Sequence, residues 1–328
     1  METRQLGKNG PEITTVGFGA WAIGGGDWAF AWGPQDDKDS LAALNEAMDL
    51  GINWIDTAAV YGLGHSEEVV GQAVKGRDDV MVFTKGVLRW NERGSVYKDH
   101  AEASVTEEID ASLKRLGVER IDLYQIHWPG KDDDSVRTAW TAIKKAIDAG
   151  KIRWGGVSNF NVHQLKIAQE IHPVTSLQPP YSMLRRDVED ELLPFCQEQG
   201  IGVICYSPME SGLLTGKYTR ESVAKMADSD WRKEKSQFFQ EPQFTHNLEL
   251  IDGLKPIAEK HGKTLPQLAV AWTLRRPELT AAIVGARRPG QITETAGASG
   301  WSLPDEDIAA IEALLDTRKA ALAAEKTD

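Results

Sequence analysis

Short apolar runs and longer stretches with helical spacing alternate along nearly the whole chain, and this alternation limits the fold more than any other feature. Ile13 to Ala20 is the first strand-like run. In the stretch Asp36 to Leu50, Leu41, Leu44, Ala47 and Met48 fall on one helical face, and Gly51 follows as a helix stop. The pattern then repeats. Further strand-like runs cover Ile52 to Asp56, Val80 to Thr84, Ile121 to Ile126, Ile152 to Val157, Thr175 to Gln178, Ile201 to Tyr206 and Ala281 to Val284. Helical stretches lie between them at Ser66 to Val74, His100 to Leu116, Ser135 to Ala149, Asn161 to Ile171 and Asp187 to Gln199. About eight strand–helix units without long polar linkers predict an α/β fold whose parallel strands close into a (β/α)8 TIM barrel. A doubly wound open sheet is the alternative; it prefers fewer strands, and no Gly-x-Gly-x-x-Gly follows the first strand at a helix start. The expected organisation is one barrel domain over residues 1–328, with an N-terminal β-hairpin and two extra helices in the C-terminal region, at 289–298 and 304–322.

One connection breaks the rhythm. Pro208 to Phe244 runs for about 37 residues after the seventh strand and carries the charged stretch WRKEK, Trp231 to Lys235. Loops that follow barrel strands build the active-site face. Residues 208–245 are therefore expected to form a lid or cofactor clamp over the mouth, the other reading being a surface insertion.

Charge and composition exclude other classes. Lys and Arg total 37 against 49 Asp and Glu, a net charge of −12, where a general nucleic-acid or anionic-membrane binder would need a basic face. Met1 to Gly10 is polar, with no apolar stretch of signal-peptide length, and runs such as Ile201 to Tyr206 fall far short of the roughly 20 residues of a membrane helix. Two cysteines, Cys196 and Cys205, are too few for a disulfide framework or a four-cysteine zinc site and read as core thiols in a reducing compartment. The location expected is cytoplasmic. The seven histidines form no ligand-like pairs, so no metal is expected. No interface is legible from which to assign an oligomeric state.

In a barrel, side chains at the C-terminal ends of the strands converge on one mouth. Collecting the titratable groups there gives Asp56 at the end of the second strand, Tyr61 five residues on, Lys85 just past the third and His127 just past the fourth. Tyrosine, with an ordinary pKa of about 10, is a poor proton donor at neutral pH. A neighbouring ammonium favours the phenolate and lowers that value. Lys85 is expected to supply the ammonium, Asp56 to hold Lys85 charged, and His127 to orient the substrate oxygen. Together they make a general acid for the alkoxide that develops when a carbonyl is reduced.

At these residues the chain resembles the aldo-keto reductase superfamily. The matching stretches are Asp56 to Gly62 with Ser66 and Glu67, Thr84–Lys85, His127 to Pro129, Gly156 to Phe160, Leu177 to Ser182, Tyr206 to Lys217 and Val284 to Arg288. Each motif is weak alone, but seven in order across nearly the whole chain are specific. Within the superfamily they are most similar to the bacterial branch of general stress proteins, inositol-utilisation reductases and glyceraldehyde- or glycerol-oxidising enzymes. The resemblance implies a tetrad of Asp56, Tyr61, Lys85 and His127 with Tyr61 as the acid, and transfer of the pro-R hydride of a nicotinamide cofactor.

The resemblance also implies a cofactor site. Ser158, Asn159 and Gln178 match residues that hold the nicotinamide carboxamide, and Tyr206 matches the aromatic that stacks on the ring. The run Ser207, Pro208, Met209, Glu210, Ser211 and Gly212 follows the pyrophosphate, with Lys217 as its cationic clamp and Arg232 reaching across from the long loop. Ala20 and Trp21 edge the cofactor from the first barrel loop, beside Asp56. Gly285 and Ala286 lead from the eighth strand into Arg287 and Arg288, and Gln291 and Glu294 match positions near the adenosine. Thr295 stands where many relatives carry asparagine. Charge gives an independent argument: an arginine pair after the eighth strand, just before a helix N-terminus, suits a phosphate and favours NADP(H) over NAD(H).

The aromatic residues Trp21, Trp28, Trp32, Trp90 and Trp128 lie on or near the expected mouth loops. With Tyr61 and His127, the residues Trp21, Trp90 and Trp128 form the candidate substrate pocket, which suits a small, partly apolar carbonyl compound. The activity expected is NADP-dependent reduction of small aldehydes or ketones, glyceraldehyde-like or methylglyoxal-like, or oxidation of short polyols such as glycerol in reverse. Two rivals remain. One is a Schiff-base aldolase with Lys85 as nucleophile, which needs a depressed lysine pKa that Asp56 opposes. The other is a non-enzymatic NADP(H)-sensing partner protein, as resemblance to potassium-channel β subunits permits.

Overall fold

The computed structural model describes residues 1–26, 28, 30–31, 33–226 and 230–325. A two-stranded antiparallel hairpin comes first, β1 (Thr3–Gln5) with β2 (Glu12–Thr14), Arg4 opposite Ile13. The barrel strands are β3 (Val16–Gly19), β4 (Trp54–Asp56), β5 (Met81–Gly86), β8 (Ile121–Ile126), β9 (Ile152–Ser158), β10 (Ser176–Gln178), β11 (Gly202–Cys205) and β12 (Leu279–Gly285). They are parallel and close into a barrel in the order β3-β4-β5-β8-β9-β10-β11-β12. The run expected from Ile13 to Ala20 is thus two strands: it leaves the hairpin at Thr15 and enters the barrel at Val16.

Helices α1 (Asp37–Asp49), α2 (His65–Val74), α3 (Glu102–Leu116), α4 (Asp133–Asp148), α5 (Val162–Ile171) and α6 (Leu192–Gln199) connect the strands from β3 to β11. Their starts follow local chemistry. The Asp36 carboxylate accepts the Lys38 N–H, and Asp132 with Ser135 and Asn161 with Gln164 form reciprocal capping boxes. Asp132, Asp133 and Asp134 are accordingly a solvated helix start. Helix α6 is shorter than the expected Asp187 to Gln199. Pro194 explains this: it is tolerated in a first turn but clashes with the preceding carbonyls in a helix interior.

A second hairpin, β6 (Leu88–Trp90) with β7 (Val96–Lys98), follows β5 and has no counterpart in the sequence reading. Three residues per strand are too few for a visible alternation. The long connection after β11 is not a bare loop. It holds α7 (Arg220–Ala224), α8 (Trp231–Lys235) and two 3-10 turns at Leu213–Thr215 and Gln237–Phe239. Phe238 and Phe239 are buried in the main core and tie it down. Helices α9 (Gln243–Lys260) and α10 (Leu265–Leu274) complete the crossover to β12, and α11 (Gln291–Ala296) and α12 (Asp305–Ala324) are the two C-terminal helices.

Strand alternation sorts the side chains into two layers. One neighbouring residue in two faces the helices and joins an extensive core with them. The other faces the barrel axis, where Trp54, Phe83, Leu123, Ile204 and Ala281 form a separate cluster plugged by Leu6 and Ile13 of the hairpin. Two residues further along the same strands come Asp56, Lys85 and Gln125. The barrel is apolar at its hairpin end and polar at its mouth. Among the described residues no helix is long and apolar enough to cross a membrane.

Candidate active site

Lys85 is fully buried at the mouth. Its Nζ donates to Asp56 Oδ2 at 2.6 Å, to the Thr57 carbonyl at 2.9 Å and to the Tyr61 hydroxyl at 3.2 Å. All three ammonium protons are thereby used. The His127 ring stands edge-on to the Tyr61 ring with centroids 5.7 Å apart, and its Nδ1 is buried without a hydrogen-bond partner. Four side chains collected from three strand ends are thus one cluster. Lys85 lies within β5 rather than just past it.

Burial and charge set the protonation states. Burial works against the Lys85 charge, but Asp56 and Tyr61 outweigh it and hold its pKa above the usual lysine value. Burial pushes the Tyr61 hydroxyl up; the Lys85 charge pulls it back, yet burial wins. The expectation that Lys85 brings Tyr61 below its ordinary value is corrected here, because the ring is desolvated and Asp56 also opposes the phenolate. His127 is held well below the ordinary histidine range by burial and by the charges of Lys85 and Lys98, so it is neutral near pH 7.

The tetrad stands on a second set of contacts. Gln178 Nε2 donates to Asp56 Oδ1 at 2.8 Å and to Gln125 Oε1 at 3.2 Å, and Gln125 Nε2 reaches the same Asp56 oxygen at 3.3 Å. Gln125 escaped the sequence reading; its position two residues before His127, on the strand that leads into it and facing the axis, is the signal that would have found it. Asn159, at φ +61, donates to the His127 carbonyl and to Ser158 Oγ, both at 3.0 Å, and accepts the Tyr206 hydroxyl at 2.9 Å. Ser158 Oγ donates to the Gln178 carbonyl at 2.8 Å. Ser66 Oγ donates to the Ala20 carbonyl at 2.9 Å, fastening the first barrel loop to α2. Glu67 accepts from Thr84 Oγ1 and Arg115 Nε, both at 2.6 Å, and so braces the strand that carries Lys85. Gly62, at φ +61, follows Tyr61 where a Cβ would sit 2.0 Å from the Gly24 carbonyl oxygen. That close approach brings the first loop against the segment that carries Tyr61.

The aromatic wall differs from the expected set. Trp21 and Trp28 face Tyr61, with centroids 6.4 and 6.0 Å away, and Trp231 of α8 packs on Trp21 at 5.9 Å. Trp231 was visible only as part of a charged stretch. Trp90 lies over the Arg115 guanidinium at 5.8 Å, and Trp128 is exposed beneath the Lys98 ammonium at 5.1 Å. Trp32 lies outside the described residues.

The remaining candidates line a path away from the tetrad. After Tyr206, Ser207, Glu210, Ser211 and Gly212 all have positive φ. Glu210 is buried, accepting from Ser182 Oγ at 2.9 Å and Arg185 Nη2 at 3.1 Å, so its carboxylate serves the loop. Pro208 and Met209 belong to the same turn, whose Met209 carbonyl accepts the Gly212 N–H. Lys217 Nζ stands 3.8 Å from Glu294 of α11. Arg232 is held by Asp230 and by the Tyr218 hydroxyl at 2.6 Å. Beyond the bare edge of Gly285 and buried Ala286, Arg287 Nε donates to Gln35 Oε1 at 2.8 Å, and Gln291 Oε1 accepts the N–H groups of Arg287 and Arg288. Burial, with Arg232 and Arg288 nearby, lowers the Arg287 pKa, which marks a local concentration of positive charge. A cleft of about 1140 Å³ opens here, lined by Arg287, Arg288, Gln291, Gln35 and His65, and also by Lys38 with the carboxylates of Asp36, Asp37 and Asp39. Thr295 is buried and bonds the Gln291 carbonyl within its own helix. A cleft walled by Arg287 and Arg288 at the C-terminal end of β12 suits a phosphate-bearing group.

A closed parallel barrel with a Lys–Asp–Tyr–His cluster at its mouth defines a carbonyl oxidoreductase of the barrel type. The aldo/keto reductase family model matches residues 15–316, and the chain belongs to that family. Aldo-keto reductase YhdN of Bacillus subtilis is 38% identical over 322 residues, covering 96% of this chain and 94% of its own. The NADH-specific methylglyoxal reductase of Escherichia coli is 35% identical over 328 residues, covering 94% and 96%. The solved structure of the glycerol dehydrogenase AKR11B4 from Gluconobacter oxydans superposes with a TM-score of 0.87 at 37% identity, covering 96% of this chain and 95% of that one. Fold and family are those read from the motifs, and the cofactor class is a nicotinamide dinucleotide.

Proposed function

We propose that the protein reduces small aldehydes and ketones, of the glyceraldehyde and methylglyoxal kind, with NADPH, and oxidises short polyols in reverse. The observation that carries this reading is the Lys85 ammonium placed between Asp56 Oδ2 at 2.6 Å and the Tyr61 hydroxyl at 3.2 Å. When bound, the nicotinamide cofactor supplies the hydride. Tyr61, kept protonated by burial, donates its proton to the carbonyl oxygen as negative charge develops there. Lys85 then stabilises the phenolate, and Asp56 keeps Lys85 charged. Neutral His127 orients the oxygen by a hydrogen bond. A lysine held above its ordinary pKa opposes the Schiff-base alternative.

In this reading Ser158, Asn159 and Gln178 hold the nicotinamide carboxamide and Tyr206 stacks on the ring. The turn from Ser207 to Gly212, with Lys217 and Arg232, follows the pyrophosphate, and residues 208–245 act as the clamp. Arg287 and Arg288 take the phosphate that separates NADP(H) from NAD(H), with Gln291 and Glu294 near the adenosine; the clustering of Arg232, Arg287 and Arg288 supports this preference. Substrate lies against Trp21, Trp28 and Trp231. The reading includes a cytoplasmic location, supported by two buried free thiols, Cys196 and Cys205.

The test is cofactor oxidation followed at 340 nm, with NADPH and NADH compared against glyceraldehyde, methylglyoxal, benzaldehyde and inosose, on the native protein and on Tyr61→Phe. Turnover with NADPH that is lost in Tyr61→Phe is expected. Equal turnover with NADH would overturn the role given to Arg287 and Arg288. Tight NADPH binding with no turnover of any substrate would point to a cofactor-sensing protein instead.

A further inference from the structure

Two residues after Lys85, the chain does something costly. Val87 is fully buried and sits at φ +74, a region that a β-branched side chain occupies only when its surroundings force it there. Its N–H donates to Glu108 Oε2 at 2.7 Å, and its carbonyl accepts the Asp99 N–H at 3.0 Å. Glu108 comes from α3, is only 4% exposed, and its other carboxyl oxygen has no partner. Burial pushes this carboxyl up to about 7. One buried amide needs only one neutral acceptor, so a carboxyl desolvated to meet it marks a demanding position.

The peptide before Val87 is equally committed. The Gly86 carbonyl accepts the His127 N–H at 3.2 Å, joining the strand of Lys85 to that of His127. The space a side chain would need at Gly86 is filled by the Tyr124 hydroxyl, 2.0 Å from where a Cβ would stand. Lys85, Gly86 and Val87 thus do three things in succession: one enters the tetrad, one bonds the backbone of another tetrad member, and one turns out onto Glu108.

We propose that Glu108 is a positioning residue of the reaction: by accepting the Val87 N–H it holds the end of β5 in the left-handed turn that sets Lys85 against Tyr61 and His127. The proposal rests on the reductase reading above. Glu67, the other buried acid nearby, is already engaged by Thr84 and Arg115 and does not reach this turn.

The experiment measures kcat and KM with NADPH and glyceraldehyde for the native protein, Glu108→Gln, Glu108→Leu and Glu108→Leu with Val87→Gly, together with hydrogen exchange over residues 84–90. Glu108→Leu is expected to lower kcat by roughly 10- to 100-fold, as small misplacements of catalytic groups do, with KM for NADPH unchanged. Glu108→Gln keeps a carbonyl acceptor and keeps most of kcat. Glycine accepts positive φ without strain, so Val87→Gly is expected to restore part of the kcat lost in Glu108→Leu. Exchange at residue 87 rises in Glu108→Leu and not in Glu108→Gln. Should Glu108→Leu not fold, Glu108→Ser takes its place, with the same expectations. A Leu variant with native kcat and native exchange overturns the proposal, and so does a loss of kcat that Val87→Gly leaves untouched. If the native protein turns over no substrate, the reductase reading fails, and exchange over 84–90 alone decides whether Glu108 holds the turn.

Discussion

Gln178 and Asp56 lie 122 residues apart in sequence, yet the Gln178 amide donates to the Asp56 carboxylate at 2.8 Å in the interior of the barrel. The oxygen it uses is Oδ1, leaving Oδ2 for Lys85. One carboxylate therefore joins the residue expected to hold the cofactor to the residue expected to tune the acid.

Asp56→Asn tests that junction. It leaves the Lys85 ammonium buried without its counter-charge, and breaking a buried pair from one side costs on the order of 3–5 kcal/mol. The melting temperature is expected to fall, and the alkaline limb of the kcat/KM profile to move to lower pH as burial pulls the Lys85 pKa down. A profile identical to the native one would mean that Asp56 does not govern Lys85.

Arg287→Ala is expected to raise KM for NADPH by roughly 10- to 100-fold, the loss of one charge-assisted phosphate contact, while leaving KM for NADH unchanged. Steady-state kinetics with both cofactors decide it. An equal rise for both would show that Arg287 acts through its contacts with Gln35 and the first barrel loop.

Glu108 makes stability depend on pH in a defined direction. Its folded pKa is raised from 4.5 to about 7, chiefly by burial, with Arg89, Arg115, Glu67 and the Tyr124 hydroxyl as its charged or titratable neighbours. The protonated form is favoured in the fold, so its contribution is fully present below pH 4.5 and is lost as pH rises through 7. Glu108→Gln cannot ionise. Its stability relative to the native protein is expected to rise between pH 5 and 8, by up to about 3 kcal/mol. Chemical denaturation at the two pH values measures this, and a constant difference would refute it. The lowered pKa of His127 acts in both proteins and cancels.

Gly86→Ala places a Cβ 2.0 Å from the Tyr124 hydroxyl oxygen. Overpacking of this kind costs about 1–3 kcal/mol. Tyr124→Phe removes the nearest obstructing atom but leaves the ring Cζ 2.9 Å from the Cβ, and is expected to restore part of the stability of Gly86→Ala. Thermal melts of the two single variants and the double variant decide it: no recovery in the double would place the strain in the backbone instead.

The order of strands and helices was legible because alternation and helical spacing are local. The helices expected to end at Leu116 and Ala149 end at Leu116 and Asp148, and Ile121 to Ile126 is a strand with the bounds expected. The errors fall where local pattern is thin. The hairpin from Leu88 to Lys98 is too short to show alternation, and the helix expected from Asp187 begins only at Leu192, where Pro194 permits. The tetrad was legible because titratable residues at strand ends are few and a barrel gathers them.

The sequence by itself determined the barrel and the family, and it named the four residues proposed as the tetrad, since these follow from periodicity, strand ends and motif order. Only the tertiary structure decided what surrounds them. Gln125 on Asp56, Trp231 on Trp21, and Glu108 beneath Val87 join residues from different elements, and no spacing along the chain records such meetings. The sign of the Tyr61 shift was likewise a tertiary outcome. A neighbouring lysine lowers a tyrosine pKa and burial raises it, and how deeply the ring is desolvated is settled only when the barrel closes around it.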